Sequence, residues 1–268
     1  MPDGAAGCES MHGMLLPVEG HHLHTVDLGQ GTPLVLHSGW VASWGLWLPL
    51  VERLQTRWRC VAYDHRGTGA STFPPEAISA EALVDDLFRV LDALAVEQAV
   101  LAGESLGCMV CLKAVLRDPS RFLGLITVGG FPRVPAQRGE AAVADPVDWP
   151  IRIAKFVDAC LPEPDAEPMH RLAEGTLLPS GPEAAARMSA ALAGTSPELE
   201  AVAVPTLVIH GALDALAPVA GAHELANTIP GAQLVVIDDA GHVPPLTRPN
   251  AVASAINSWW TQTARDAQ

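Results

Sequence analysis

The sequence is poor in charge. Only 17% of its 268 residues are Asp, Glu, Lys or Arg, and 16 basic residues stand against 30 acidic ones, a formal net charge of −14. That deficit argues against a nucleic acid or an anionic membrane as partner, because both are held by clustered positive charge. It leaves the substrate open, since net charge reports association and solubility rather than chemistry. Cysteine is scarce too: Cys8, Cys60, Cys108, Cys111 and Cys160 form an odd, scattered set that does not suit a disulfide framework. No apolar run has the length of a membrane span, and the opening residues MPDGAAGCESMHGMLLP lack the basic and apolar regions of a secretory signal. The expectation is a soluble, cytoplasmic protein in a reducing compartment. There is no internal repeat or low-complexity tract, and with 49% hydrophobic residues the chain can bury a large core.

Metal ligands are equally sparse. Cys108 and Cys111 form a C-x-x-C, but the second pair that a metal site needs is missing, so two small apolar helix residues are expected there. His21, His22 and His24 fall in a strand pattern that places His22 and His24 on one face and His21 on the other. No nearby carboxylate or cysteine completes a site, and exposed strand histidines are expected. Neither a metal nor an organic cofactor is called for.

What the sequence does have is a recurring unit: a short apolar run, a glycine turn, then a helical period. The runs are GMLLPV, HLHTVDL, PLVLHSG, RCVAYDHRG, AVLAGES, LGLITVGG, PTLVIHG and QLVVIDDAGH. Glu19-Gly20 between the first two suits a hairpin. The others read as strands covered on both faces. Between them, Ala82 to Leu94 puts Leu83, Leu87, Leu91 and Leu94 on one helix face, with Asp85, Asp86 and Arg89 away from it. Pro249 opens a last helix in which Val252, Ile256 and Trp260 recur. Alternating strands and helices predict an α/β fold with a mostly parallel sheet.

The alternation stops from about Phe131 to Val204, a stretch rich in Ala, Pro and acidic residues with two or three helical patterns, around Trp149–Cys160 and Pro182–Leu192, and no strand. The domain reading is therefore a core of residues 1–130 and 205–268, with 131–204 as a small helical cap inserted over one end of the sheet.

In open α/β sheets ligands bind outside the carboxyl ends of strands. Gly103-Glu104-Ser105-Leu106-Gly107 sits at such an end, with Val100-Leu101-Ala102 as strand before it and a helix after it. Small glycines permit the sharp turn, which presents the serine hydroxyl at a helix N-terminus. A serine needs a base, and the base an orienting acid. Asp214 follows the PTLVIHG strand and His242 follows the QLVVID strand, giving the chain order Ser, Asp, His. A tetrahedral oxyanion needs N–H donors. Leu106, after the serine, supplies one; the loop "HSGW" supplies the other, Gly39 by position, with Trp40 as the alternative.

These stretches resemble the α/β-hydrolase superfamily, in its single-domain esterase and lactonase group, over nearly the whole chain. The marks are "VLHSGW" for the oxyanion loop, "YDHRGTGAS" for the D-x-R-G-x-G-x-S turn, "GESLG" for the nucleophile elbow, "GALDALAP" for the acid loop and "AGH" for the histidine loop. The resemblance implies an eight-stranded sheet with helices on both faces and a cap between strands six and seven. This chain departs from the pattern at Ser38, where glycine is usual, and at Glu104, where histidine is common. For Glu104 the preferred role is a carboxylate paired beneath the turn, with proton transfer as the alternative. A serine nucleophile argues against the dehalogenase and epoxide hydrolase branches, whose chemistry needs a carboxylate.

Asp64, Arg66 and Gly67 read as a structural turn network, and Asp239 as a weaker rival to Asp214. Trp40, Trp44 and Trp47 fall on one face if their stretch is helical; Trp40, Phe131 and Trp149 are the expected substrate-binding aromatics. The functional expectation is a serine hydrolase acting on a small apolar carboxylic ester or lactone. The alternatives are an enol-lactone or carbon–carbon bond hydrolase, an acyltransferase, or a catalytically silent binding protein. The cap residues do not name the substrate, and nothing in the sequence reports the oligomeric state.

Overall fold

The computed structural model describes residues 13–136 and 147–266, so Cys8 lies outside the described residues. Eight strands form one sheet: β1 (Met14–Val18), β2 (His21–Leu28), β3 (Thr32–His37), β4 (Trp58–Tyr63), β5 (Ala99–Glu104), β6 (Phe122–Val128), β7 (Thr206–Gly211) and β8 (Gln233–Ile237). The helices are α1 (Leu48–Leu54), α2 (Ala80–Ala93), α3 (Gly107–Arg117), α4 (Trp149–Cys160), α5 (Glu167–Leu177), α6 (Gly181–Leu192), α7 (Val219–Thr228), α8 (Pro244–Thr247) and α9 (Pro249–Asp266).

The strand order is β1-β2-β4-β3-β5-β6-β7-β8. β1 and β2 form the hairpin expected at Glu19-Gly20 and join β4 antiparallel, while every pairing from β4/β3 onward is parallel. β5 is buried along its entire length, which requires cover on both faces. Its parallel neighbours all end on one side, so the turns after β3, β5, β7 and β8 converge at one edge of the sheet. Between β6 and β7 the described chain holds α4, α5 and α6 and no strand. α5 is the helix whose position the sequence left open. No helix among the described residues is long and apolar enough to cross a membrane.

α2 is capped by Ser79, whose side chain accepts from the Ala82 N–H at 3.1 Å. Its Leu face is buried as expected, but Asp86 is not on the solvent side. It is fully buried and held by Arg66 through two 2.7 Å hydrogen bonds, Nε to Oδ2 and Nη2 to Oδ1. Arg66 in turn lies 4.3 Å over the Phe73 ring. Asp64 accepts from the Trp44 and Ala70 N–H groups and from His24 Nδ1, the last at 3.0 Å. The turn network of Asp64 and Arg66 is thus structural, and His24 has a carboxylate partner that local sequence did not disclose. In α9, Val252 and Ile256 are buried with Trp259, while Trp260 is only partly covered. Cys108 and Cys111 are buried free thiols in α3. The three tryptophans after β3 do not share a helix face: Trp40 is in the loop, and only Trp44–Trp47 forms a short 3₁₀ turn before α1.

Candidate active site

The turn from β5 into α3 is tight. Ser105 adopts φ +51°, a left-handed conformation costly for a residue with a side chain. Its glycine neighbours make the turn possible. A Cβ on Gly103 would sit 2.8 Å from the backbone of Cys108, and one on Gly107 would sit 2.7 Å from the carbonyl oxygens of His37 and Ser38. Both close approaches press α3 against the sheet and against the loop after β3, leaving Ser105 partly open at the carboxyl end of the central strand.

The structure brings Ser105, His242 and Asp214 together. Ser105 Oγ lies 2.8 Å from His242 Nε2, and His242 Nδ1 lies 2.7 Å from Asp214 Oδ2. A carboxylate at Nδ1 fixes the proton there and leaves the Nε2 lone pair for the serine hydroxyl. Asp214 is itself fastened: Oδ1 accepts from the Leu216 and Ala217 N–H groups, both at 2.9 Å. Burial works to raise the Asp214 carboxyl, but hydrogen bonds from His210 and His242, with the His242 charge and the Ala217 N–H, hold it well below the ordinary carboxylate range. Asp239 instead pairs with Arg248 on the surface at 2.7 Å.

The loop after β3 bears on the choice of oxyanion donor. The Gly39 N–H already donates to Glu104 Oε2 at 3.0 Å, so it is not free to meet an oxyanion. Among the described residues the N–H groups of Trp40 and Leu106 have no hydrogen-bond acceptor within the chain. Trp40, next to the anchored Gly39, has φ +29°, a strained conformation for a residue with a side chain. Glu104 is 3% exposed, and its Oε1 lies 3.8 Å from His242 Nε2. Burial pushes its carboxyl up to about 7 against the opposing pull of the His242 charge and the Gly39 N–H. His37 and His65 stack at 5.2 Å below the loop, and burial holds them neutral, down to about 4 and about 3. The His37 Nδ1–H donates to the Ser38 carbonyl at 2.8 Å.

Ser105 and His242 open onto two compartments. The inner one, about 30 Å³, is enclosed by apolar side chains including Leu46, Val157, Leu161, Leu177 and Leu246. The outer one, about 280 Å³, is lined by Trp40, Leu106, Phe156 and Leu216, with Arg152 and Ser189 as polar groups. Trp40 borders both compartments, and its Nε1–H is directed at the Ala185 carbonyl and Ser189 Oγ of α6, each 3.1 Å away. Phe131 borders neither; it lies beside Gly221 of α7. Trp149 also stands back from the cavity, edge-on to Trp40 at 6.0 Å, with its Nε1–H bound to the Leu178 carbonyl. The aromatic that lines both compartments with Trp40 is Phe156. Among the described residues no group of three or more His, Cys, Asp or Glu is placed to hold a metal ion.

The model of the family described as the alpha/beta hydrolase fold matches residues 32–198, and a second, described as TAP-like protein, matches residues 183–268. The chain belongs to the α/β-hydrolase superfamily. A pimeloyl-[acyl-carrier protein] methyl ester esterase of Aliivibrio salmonicida is 29% identical to this α/β hydrolase over 232 residues, 81% of this chain and 87% of that protein. A protein of Azorhizobium caulinodans provisionally named a carbamate hydrolase is 32% identical over 233 residues, covering 80% and 85%. Among solved structures, a hydrolase from Pseudomonas aeruginosa superposes with TM-score 0.85 at 28% identity, covering 92% of this chain and 98% of that one.

Sequence reasoning passed over three parts of this α/β hydrolase's site. His210 is the penultimate residue of β7, and its Nε2 lies 3.2 Å from Asp214 Oδ2 and 2.6 Å from the Ala217 carbonyl; a histidine near the end of an apolar strand, four residues before Asp214, was the available signal. Glu163, buried, accepts from the Gly241 N–H at 2.7 Å and from Thr247 Oγ1 at 2.6 Å, and the His242 N–H donates to the Cys160 carbonyl at 2.8 Å. The segment after α4 therefore holds the backbone of the histidine loop. The inner cavity wall comes from α4 and α5, whose apolar residues carry no motif.

Proposed function

We propose that this protein is a serine hydrolase that cleaves a small, apolar carboxylic ester or lactone through an acyl-enzyme. The observation that carries the proposal is the hydrogen-bonded chain from Ser105 through His242 to Asp214 at the mouth of an apolar cavity. In the first step Ser105 Oγ attacks the carbonyl carbon as its proton passes to His242 Nε2. Asp214 holds the imidazole tautomer and stabilises the imidazolium. The N–H groups of Leu106 and Trp40 receive the oxyanion. His242 then protonates the departing alcohol, and a water activated by the same imidazole releases the acid. No metal or organic cofactor takes part.

The segment α4–α6 serves as the cap, and its side chains set the substrate. An inner compartment of about 30 Å³ suits a short apolar group, while the wider outer compartment takes the remainder of the molecule. The names of the relatives, a methyl ester esterase among them, support an acyl-transfer chemistry. The test is hydrolysis of a chain-length series of p-nitrophenyl esters, with a carbamate and a lactone alongside, by wild type and Ser105→Ala. Short-chain esters should be turned over best, and the substitution should lower kcat by about 10³-fold or more, because the three residues act as a unit. Near-full activity in Ser105→Ala would remove the assignment. Binding of these esters without product in either protein would favour a silent binding protein.

A further inference from the structure

The proposed chemistry leaves a buried carboxyl group at the reaction centre without a task. Glu104 immediately precedes Ser105, is almost completely buried and borders the inner compartment. Its two oxygens face different parts of the machinery. Oε2 accepts the Gly39 N–H at 3.0 Å, and Oε1 stands 3.8 Å from His242 Nε2. That nitrogen is the one that receives the serine proton.

We propose that Glu104 is a positioning residue for the reaction, holding the Gly39–Trp40 peptide with one oxygen and favouring the protonated form of His242 with the other. The inference rests on the serine-hydrolase reading above. Its logic is differential. Before proton transfer the imidazole is neutral and gains little from a nearby carboxylate. After transfer it is an imidazolium, and a negative charge at 3.8 Å in a water-poor site attracts it strongly. In the attack step the proton moves from Ser105 Oγ to His242 Nε2, which later gives it to the departing alcohol; Glu104 is not itself protonated. The oxygen nearer the oxyanion loop carries the Gly39 N–H, which offsets its repulsion of the developing oxyanion. A carboxylate in the Gly39 contact also occupies that N–H, so the next amide, that of Trp40, is the one turned to the carbonyl oxygen.

The groups that act on Glu104 are His242 and Asp214 from the loops after β8 and β7, the Cys108 thiol of α3 and the Cys160 thiol at the end of α4. Burial pushes both thiols up, so neither bears charge near neutrality. The coupled pair is Glu104 and His242, and with the Glu104 carboxyl pushed up to about 7 its protonation falls in the working range.

Glu104→Gln keeps the shape and an acceptor for Gly39 but removes the charge. At pH about 8 it should lower kcat/KM for a p-nitrophenyl ester by about tenfold, and the difference should shrink below pH about 7, where the wild-type carboxyl is protonated. The acid limb of the pH–rate profile should move to lower pH by about one unit, because the imidazolium has lost an anionic neighbour. Glu104→Ala should show the same displacement and a further loss of rate from the unanchored Gly39. A purely structural Glu104 would change rate or stability without displacing the limb, and that result would overturn the proposal. The same displacement should appear in the NMR titration of the His242 ring in the Ser105→Ala background, which needs no turnover. A failed ester assay with a displaced titration would therefore count against the hydrolase reading and not against this one. In the unaltered protein the His242 resonances should record two inflections, its own and that of Glu104. A single inflection there contradicts the coupling without any Glu104 variant being made.

Discussion

At the residue scale, burying the Glu104 carboxyl beside Ser105 works against stability. Burial raises this carboxyl from 4.5 to about 7. The native chain then retains a proton that the unfolded chain has released, so stability falls as pH rises through that window and the loss is complete above it. The displacement corresponds to roughly 3 kcal/mol at the conversion of about 1.4 kcal/mol per unit. Glu104→Gln should accordingly be more stable than wild type at pH about 8, by on the order of 2–3 kcal/mol in urea unfolding, with the gain vanishing near pH 5. A variant less stable than wild type at pH 8 would mean that the ionised carboxylate contributes more to the fold through Gly39 than its burial costs. The sequence marked the residue as an unusual neighbour of the serine and as a carboxylate paired beneath the turn, a pairing made with the Gly39 N–H, but it did not name the partner. Its two partners, Gly39 and His242, lie far from it along the chain, and no local pattern reports which amide a buried carboxylate will meet. For the same reason the sequence did not disclose that the Gly39 N–H, preferred there over that of Trp40 as an oxyanion donor, has Glu104 as its acceptor.

At the scale of elements, periodicity located the strands and helices well but not every face. The alternation of apolar runs and turns gave all eight strands: the central parallel ones as continuous apolar stretches, and antiparallel β1 and β2 as half-buried runs joined at Glu19-Gly20. Asp86 was misplaced because helical periodicity assigns a carboxylate to solvent, and the compensating charge, Arg66, sits on the turn after β4. That pair ties α2 to the turn. Removing one member leaves a buried charge without its partner, so Asp86→Ala should cost about 3–5 kcal/mol in unfolding free energy. Residual activity per folded molecule should be retained, since Asp86 touches neither Ser105 nor the cavity. A loss below about 1 kcal/mol would show that Arg66 finds solvent or another acceptor, Glu19 being 3.9 Å away. Of the helices between β6 and β7, α4 and α6 were legible as helices and α5 was not located, and none disclosed the side chains it would turn to the cavity. Phe131 and Trp149 were chosen by position, whereas Phe156 takes the place beside Trp40. Helical period identifies a buried face without saying whether a neighbour or a ligand covers it.

For the whole molecule, the sheet edge gathers residues that the chain keeps far apart: Ser105 and His242 are separated by 137 positions and meet at 2.8 Å. Strand ends made this convergence readable, since each of the three residues follows an apolar run that the parallel sheet must place beside the others. What sequence did not supply is the fastening between segments. The Glu163 and Cys160 contacts tie the histidine loop to the stretch after α4. The proposed cap and the proposed base are thus mechanically joined. The most direct measurement is the mass of the protein quenched in acid early in its reaction with a p-nitrophenyl ester. The expected result is a gain of one acyl group, located by peptide mapping on the peptide holding Ser105 and absent from Ser105→Ala. Turnover with no acyl adduct in wild type and undiminished in Ser105→Ala, or an adduct mapped to another residue, would contradict Ser105 as the nucleophile.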